Sequence, residues 1–280
     1  MALLSAALVG HSAFAQPAGG RLKRIQEAAT IKIAYRTDSR PFSFLGDRAG
    51  HPTGYTIELC TEIAKSIERQ LGLAVLGIQW VPVDTQNRFE VIVNGSADME
   101  CGSTTVSLSR LKLVDFSSFV YVESTGVLVN AGAGLFSFND LAGKKIGVVP
   151  GSTNAQAVRD QLERRKLDAT LISFTDRRDG VAALARGELD GFASDKLVLL
   201  ALAQAANLQN VAMLPEDLSF EPFAIMLPRG DVEFRLAVNA ALARFFRSGE
   251  ILALHSKYFG TLGRQSSWTG AVFTFGGLPE

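Results

Sequence analysis

The chain has 280 residues, enough to bury one large core or two smaller ones, and with 47% hydrophobic and 20% charged residues it needs no staples to fold. Lys plus Arg and Asp plus Glu number 28 each, so no global field draws the protein onto nucleic acid or an anionic membrane, and recognition must be local. Two cysteines and three scattered histidines (His11, His51, His255) give no metal-ligand spacing, so neither a metal nor a cofactor is expected.

Residues 1–15, MALLSAALVGHSAFA, are apolar and end in a small-x-small pattern, which predicts a secretory signal peptide with Gln16 as the new N-terminus. The departure from the usual signal is that no Lys or Arg precedes the apolar run. No other stretch approaches 18 consecutive apolar residues, and no cysteine stands at the cleavage site to carry a lipid, so a periplasmic protein is expected. In that oxidising compartment Cys60 and Cys101, with 40 residues between them, either form a disulfide or remain two buried thiols.

After a polar lead-in at 21–30, IKIAY at 31–35 reads as a strand and the Pro- and Gly-rich segment that follows as a loop. Apolar residues at helical spacing (Ile57, Ile63, Ala64, Ile67, Leu71) predict a helix that stops at Gly72. A strand near 75–83, a helix at 86–94 and a strand at 98–101 follow. The second half restarts the alternation with a strand at 145–149, a Gly-Ser-Thr turn leading into a helix, and strands near 170–174 and 189–193 around a helix at 179–185. The halves also share spacing: Gly95 and Gly187, Asp98 and Asp190, and Ser103 and Asp195 each lie 92 residues apart.

These patterns predict an α/β fold of two lobes, each a mostly parallel sheet flanked by helices, joined by two hinge strands at 121–130 and 218–227. Lobe 1 is expected from 21–124 and 223–262, with C-terminal helices at 231–247 and 249–259, and lobe 2 from 125–222. The Gly- and Ser-rich tail, 263–280, is expected to be irregular.

In such sheets ligands gather at the carboxyl ends of strands, and three arginines (Arg36, Arg88, Arg110) fall there in lobe 1. A guanidinium fork matches a carboxylate in a bidentate way that an ammonium does not. The hydroxyl row Ser103, Thr104, Thr105 either binds an anion or caps a helix starting nearby. Opposite stand Thr153, Arg177 and Asp195, the last either capping the helix KLVLLALAQAA or accepting an ammonium.

The segments RPFSF, TGYTIELCTEIA, TQNRFEVIVNGSADMECGSTT, SRLKLVDFS and SDKLVLLA together resemble the extracellular solute-binding proteins of polar amino-acid ABC transporters, in particular the glutamate/aspartate-binding branch, over about residues 31–259. The resemblance implies that Arg110, with Ser103 and Thr105, pairs with the ligand α-carboxylate and that Asp195 holds the α-ammonium. It further implies that Arg36, Arg88 and Thr85 bind the side-chain carboxylate, that Thr153 is a second-lobe contact, and that Phe42 walls the ligand stem. One position departs: Arg177 follows Asp176 where the family pattern often shows His, so the choice among glutamate, aspartate and a larger dicarboxylate stays open. The implied partners are an acidic amino acid and a membrane permease of an importer, with the protein itself a monomer. The rivals are a periplasmic dehydratase on the same fold and a carrier for a neutral amino acid. Against the enzyme stands the lack of a G-x-S-x-G turn; Glu100 is the acid it would use, and reads more simply as a hydrogen-bonding residue at the pocket edge.

Overall fold

The computed structural model describes residues 20–46, 50–262 and 266–279; the expected signal peptide lies outside the described residues. Lobe 1 opens with helix α1 (Gly20–Ala28) and strand β1 (Thr30–Arg36), then a small antiparallel sheet of β2 (Asp38–Ser39), β3 (Ser43–Leu45) and β4 (Pro52–Thr53). It continues through α2 (Tyr55–Leu71), β5 (Gly77–Val83), α3 (Arg88–Val93), β6 (Met99–Cys101) and β7 (Asp115–Glu123). The chain crosses at Ser124 into lobe 2: β8 (Thr125–Asn130), β9 (Lys145–Val148), α4 (Thr153–Arg165), β10 (Thr170–Ser173), α5 (Arg177–Ala185), β11 (Gly191–Asp195), α6 (Lys196–Ala205) and β12 (Val211–Met213). It returns on β13 (Glu221–Leu227) and ends with α7 (Val232–Arg247), α8 (Glu250–Phe259) and α9 (Ser267–Gly276).

The two sheets are built to one plan. Lobe 1 orders its strands β5-β1-β6-β13-β7 and lobe 2 orders β10-β9-β11-β8-β12. In each, three parallel strands are followed by one antiparallel strand, β13 or β8, and that strand is the one that arrives across the hinge. The 92-residue spacing has a physical basis in the same plan. Gly95 and Gly187 both end a helix at positive φ, 80° and 73°, a conformation glycine adopts without strain. Three residues on, Asp98 exchanges hydrogen bonds with the backbone of Lys32, and Asp190 does the same with Lys145. Each aspartate thereby fixes the third strand against the first.

Amphipathic helices close both faces of the sheets. On α2, Ile57, Cys60, Ile63, Ala64 and Ile67 are buried, and Gly72 ends the helix in the left-handed conformation at φ 65°. Every residue of β13 is buried, as a strand inside a sheet covered on both faces requires. Cys60 and Cys101 are joined by a disulfide that ties α2 to the end of β6.

Two segments depart from the sequence reading. The polar lead-in is helix α1, anchored by buried Leu22 and Ile25, and by Arg21 Nη1 paired with Asp98 at 3.0 Å. The tail expected to be irregular carries α9. Ser266 caps its start by accepting from the Thr269 N–H, and Phe273 is buried beside Phe246 of α7, with ring centroids 5.7 Å apart. Ser266 supplies the cap and Gly276 the close approach to Phe246, roles that composition alone hides.

Candidate functional site

The carboxyl ends of β1, β5 and β6 face those of β9, β10 and β11, and the arginines, hydroxyls and carboxylates gather between them. Arg36 is the last residue of β1 and Arg88 the first of α3 after β5, and they are 1% and 2% exposed. Burying two guanidiniums is costly unless their donors find acceptors. Arg36 Nη2 donates to Asp38 at 2.6 Å and Arg88 Nη1 to Thr104 Oγ1 at 2.8 Å, yet Arg36 Nε and Nη1 and Arg88 Nε have no partner among the described residues. The Thr85 hydroxyl and both carboxylate oxygens of buried Glu100 are likewise unpartnered. Buried polar atoms left open in a cluster at strand ends give the cleft donors and acceptors that a polar ligand could use.

Glycine at position 102 makes this packing possible. A Cβ there would lie 2.2 Å from Glu100 Oε1 and 3.0 Å from the Arg36 stem, so any side chain would expel one of them. Electrostatics follow from burial. Desolvation lifts the Glu100 carboxyl above its ordinary value, with Arg88 opposing the rise. Burial, then the neighbouring guanidiniums of Arg110 and Arg36, pull Arg88 well below the usual arginine range. Arg110 opens a short 3-10 turn, donates through Nη1 to the Thr105 carbonyl at 2.7 Å, and shares the Phe89 ring with Arg88, each 5.3 Å from its centroid.

The hydroxyl row caps no helix; only the 3-10 turn Arg110–Lys112 follows it, and its residues point into the cleft. Ser103 Oγ donates to Ser39 Oγ at 3.3 Å, and Thr105 Oγ1 donates to Glu221 at 2.5 Å. Thr153 of lobe 2 donates to the same Glu221 oxygen at 2.7 Å, while Thr125 and Ser219 donate to the other. Glu221 starts the return strand, so one hinge carboxylate collects hydroxyls from both lobes.

Asp195 does not cap α6 through its side chain. Its Oδ1 accepts from Asn154 Nδ2 at 2.8 Å, and burial raises its pKa to about 6, with Glu221 adding to the rise and Arg177 opposing it. Arg177, 2% exposed at the start of α5, gives Nε to Ser194 at 2.9 Å and Nη1 to Ser39 at 3.0 Å and Asp38 at 3.3 Å. Arg178 turns outward onto Asp176. Phe42 is core: its fully buried ring packs on Tyr55, Tyr121, Phe223 and Phe259, and this replaces the expected wall beside a ligand stem.

Three residues that sequence reasoning missed complete the site. Asp38, Asn154 and Glu221 are all 4% exposed or less. The arginines and Asp195 read from the sequence therefore stand in a more balanced site: Asp38, Glu100, Asp195 and Glu221 against Arg36, Arg88, Arg110 and Arg177. Asp38, two residues from Arg36, and Glu221, the lone acid in an apolar hinge segment, were the available signals. Among the described residues no group of His, Cys, Asp and Glu has metal-binding geometry, and no helix is long and apolar enough to cross a membrane.

Two duplicated α/β lobes on a two-strand hinge, with charged side chains from both meeting in the cleft, define the bilobal binding proteins, which close around a small molecule. The chain belongs to the bacterial extracellular solute-binding proteins, family 3, whose model matches residues 31–261. It is 31% identical over 255 residues to the L-glutamate/L-aspartate-binding protein of Pseudomonas aeruginosa, covering 91% of this chain and 84% of that one. It is 30% identical over 257 residues to the glutamate/aspartate import solute-binding protein of Salmonella typhimurium, covering 91% and 85%. Among solved structures, an ancestral amino acid-binding protein, a precursor of cyclohexadienyl dehydratase, superposes with a TM-score of 0.75 at 25% identity, over 86% of this chain and all of that one. An ancestral arginine-binding protein bound to glutamine gives 0.73 at 27% identity, over 83% and 98%.

Proposed function

We propose that the protein is the periplasmic substrate-binding component of an amino-acid ABC importer, capturing glutamate or aspartate by lobe closure and handing it to a membrane permease. The observation that carries the acidic ligand is the set of unpartnered, buried guanidinium donors on Arg36 and Arg88. A neutral amino acid would leave them without an anion. In this reading Arg110, Ser103 and Thr105 hold the α-carboxylate, and Asp195 takes the α-ammonium. Arg36, Arg88 and Thr85 take the side-chain carboxylate, and Thr153 adds a contact from lobe 2.

A charge pair at 4 Å is worth about 4 kcal/mol at an effective dielectric near 20, before desolvation is subtracted. Exchanging the distal carboxylate for an amide therefore weakens binding by roughly 1–3 kcal/mol, the usual cost of poorly paired buried polar groups. Closure draws on the same contacts, because a ligand touching both lobes favours the closed form only through its higher affinity for it. Calorimetric titration across the amino acids tests the reading. Glutamate or aspartate should bind at micromolar affinity or better and glutamine far more weakly; equal binding of glutamine removes the side-chain assignment. A second reading, a dehydratase-type enzyme, rests on Glu100, a buried carboxyl with a raised pKa and no partner. Product formation from a small cyclic carboxylate such as a dehydratase substrate, lost in Glu100→Gln, would favour it over simple carriage.

A further inference from the structure

Arg177 gives Nε and Nη1 to the protein's own acceptors, and the most telling of these is Asp38, which belongs to the opposite lobe. Asp38 accepts from Arg36 Nη2 at 2.6 Å, from Arg177 Nη1 at 3.3 Å and from the Arg177 backbone N–H at 3.2 Å. Arg36, Asp38 and Arg177 are all 4% exposed or less, so water does not screen them. A resident carboxylate thus stands between a cation of lobe 1 and a cation of lobe 2. Arg36 keeps Nε and Nη1 unpartnered, whereas Arg177 has only Nη2 beyond these bonds, 3.8 Å from Asp195.

Building on the acidic-ligand reading, we infer that Asp38 is a specificity-determining residue: it holds Arg177 as a tie between the lobes, leaves the ligand's distal group to Arg36 and Arg88, and tunes the preference for carboxylate over amide there. The two partners of one ion pair then act in opposite directions. Removing the Asp38 charge leaves two guanidiniums free to attract a distal carboxylate, and the acidic preference rises. Removing the Arg177 charge leaves Asp38 less neutralised beside Arg36, and the preference falls. A tie that only held the lobes together would make both variants weaken every ligand by a common factor.

Calorimetric titration of L-glutamate and L-glutamine into wild type, Asp38→Asn, Arg177→Gln and the double variant separates these outcomes. The ratio of the glutamine Kd to the glutamate Kd should rise about tenfold in Asp38→Asn, fall about tenfold in Arg177→Gln, and return to within about threefold of wild type in the double variant. Ratios that stay fixed, or move the same way in both single variants, overturn the inference. If circular dichroism shows that Asp38→Asn does not fold, Arg177→Gln and the double variant carry the test, and equal ratios in those two overturn it. Wild type that binds neither L-glutamate nor L-aspartate overturns the acidic-ligand reading and this inference with it; wild type that binds an acidic amino acid while the acid-to-amide ratios stay put overturns the inference alone.

Discussion

Asp195 shows how one buried group gives the site a pH response with two signs. Its pKa, near 6 in the folded protein, lies above the ordinary carboxylate value because burial disfavours the charged form. In the proposed role Asp195 needs that charge to hold an ammonium, so glutamate affinity should be full at about pH 7.5 and fall up to about tenfold per unit below about pH 6. Stability without ligand runs the other way. The folded state takes up the proton more readily than the unfolded chain, so the group's contribution is complete below the unfolded pKa of 3.8 and is lost as pH rises through about 6. Thermal melts should therefore show Asp195→Asn gaining on ligand-free wild type between about pH 4 and about 7. Arg110→Ala should abolish binding of every amino acid, at least about 100-fold by calorimetry, since the α-carboxylate is common to all. Arg88→Ala should mainly erase the preference for acidic ligands; an equal loss for all would sink the assigned roles.

At the scale of elements, the strand and helix pattern was legible because hydrophobic period and glycine stops are local properties of the chain. The helix Tyr55–Leu71 is read from the spacing of Ile57 to Leu71, and its end from Gly72. Helices α1 and α9 were not, because each is anchored by a few contacts from distant chain, such as Arg21 to Asp98 and Phe273 to Phe246. The same reason hid Glu221 and Asn154: their significance lies in hydroxyls and a carboxylate brought to them by folding. The arginines stood out because strand ends are predictable; Asp38, on the two-residue strand β2, and Glu221, at the start of β13, did not, because their neighbours come from distant chain. Two stability effects belong here. Removing the disulfide that ties α2 to β6, with its sequence separation of 41, should cost about 4 kcal/mol by loop-closure entropy, measured by chemical denaturation of the Cys60→Ala/Cys101→Ala variant. Phe273→Ala should cost about 3 kcal/mol by emptying the contact between α9 and α7, with glutamate affinity within about twofold of wild type.

Across the whole molecule the two lobes meet through side chains as well as through the hinge: Gln86 Nε2 donates to the Pro150 carbonyl at 2.9 Å, and Thr105 and Thr153 share Glu221. These contacts require closed lobes, so small-angle scattering should show a smaller radius of gyration with saturating glutamate than without ligand, and Glu221→Ala should diminish the change. An identical radius in both states would argue against closure as the means of capture.

Strand β13 lies between β6 and β7 inside its sheet, although nearly a hundred residues separate it from β7 in sequence. A growing or translocating chain can thus complete the second lobe from one continuous stretch, while the first lobe remains a pair of unjoined fragments until its last third emerges. The long loop that must close before β13 docks slows that final step. The half of the protein that contributes most of the arginines is for that reason expected to be the last to become solid.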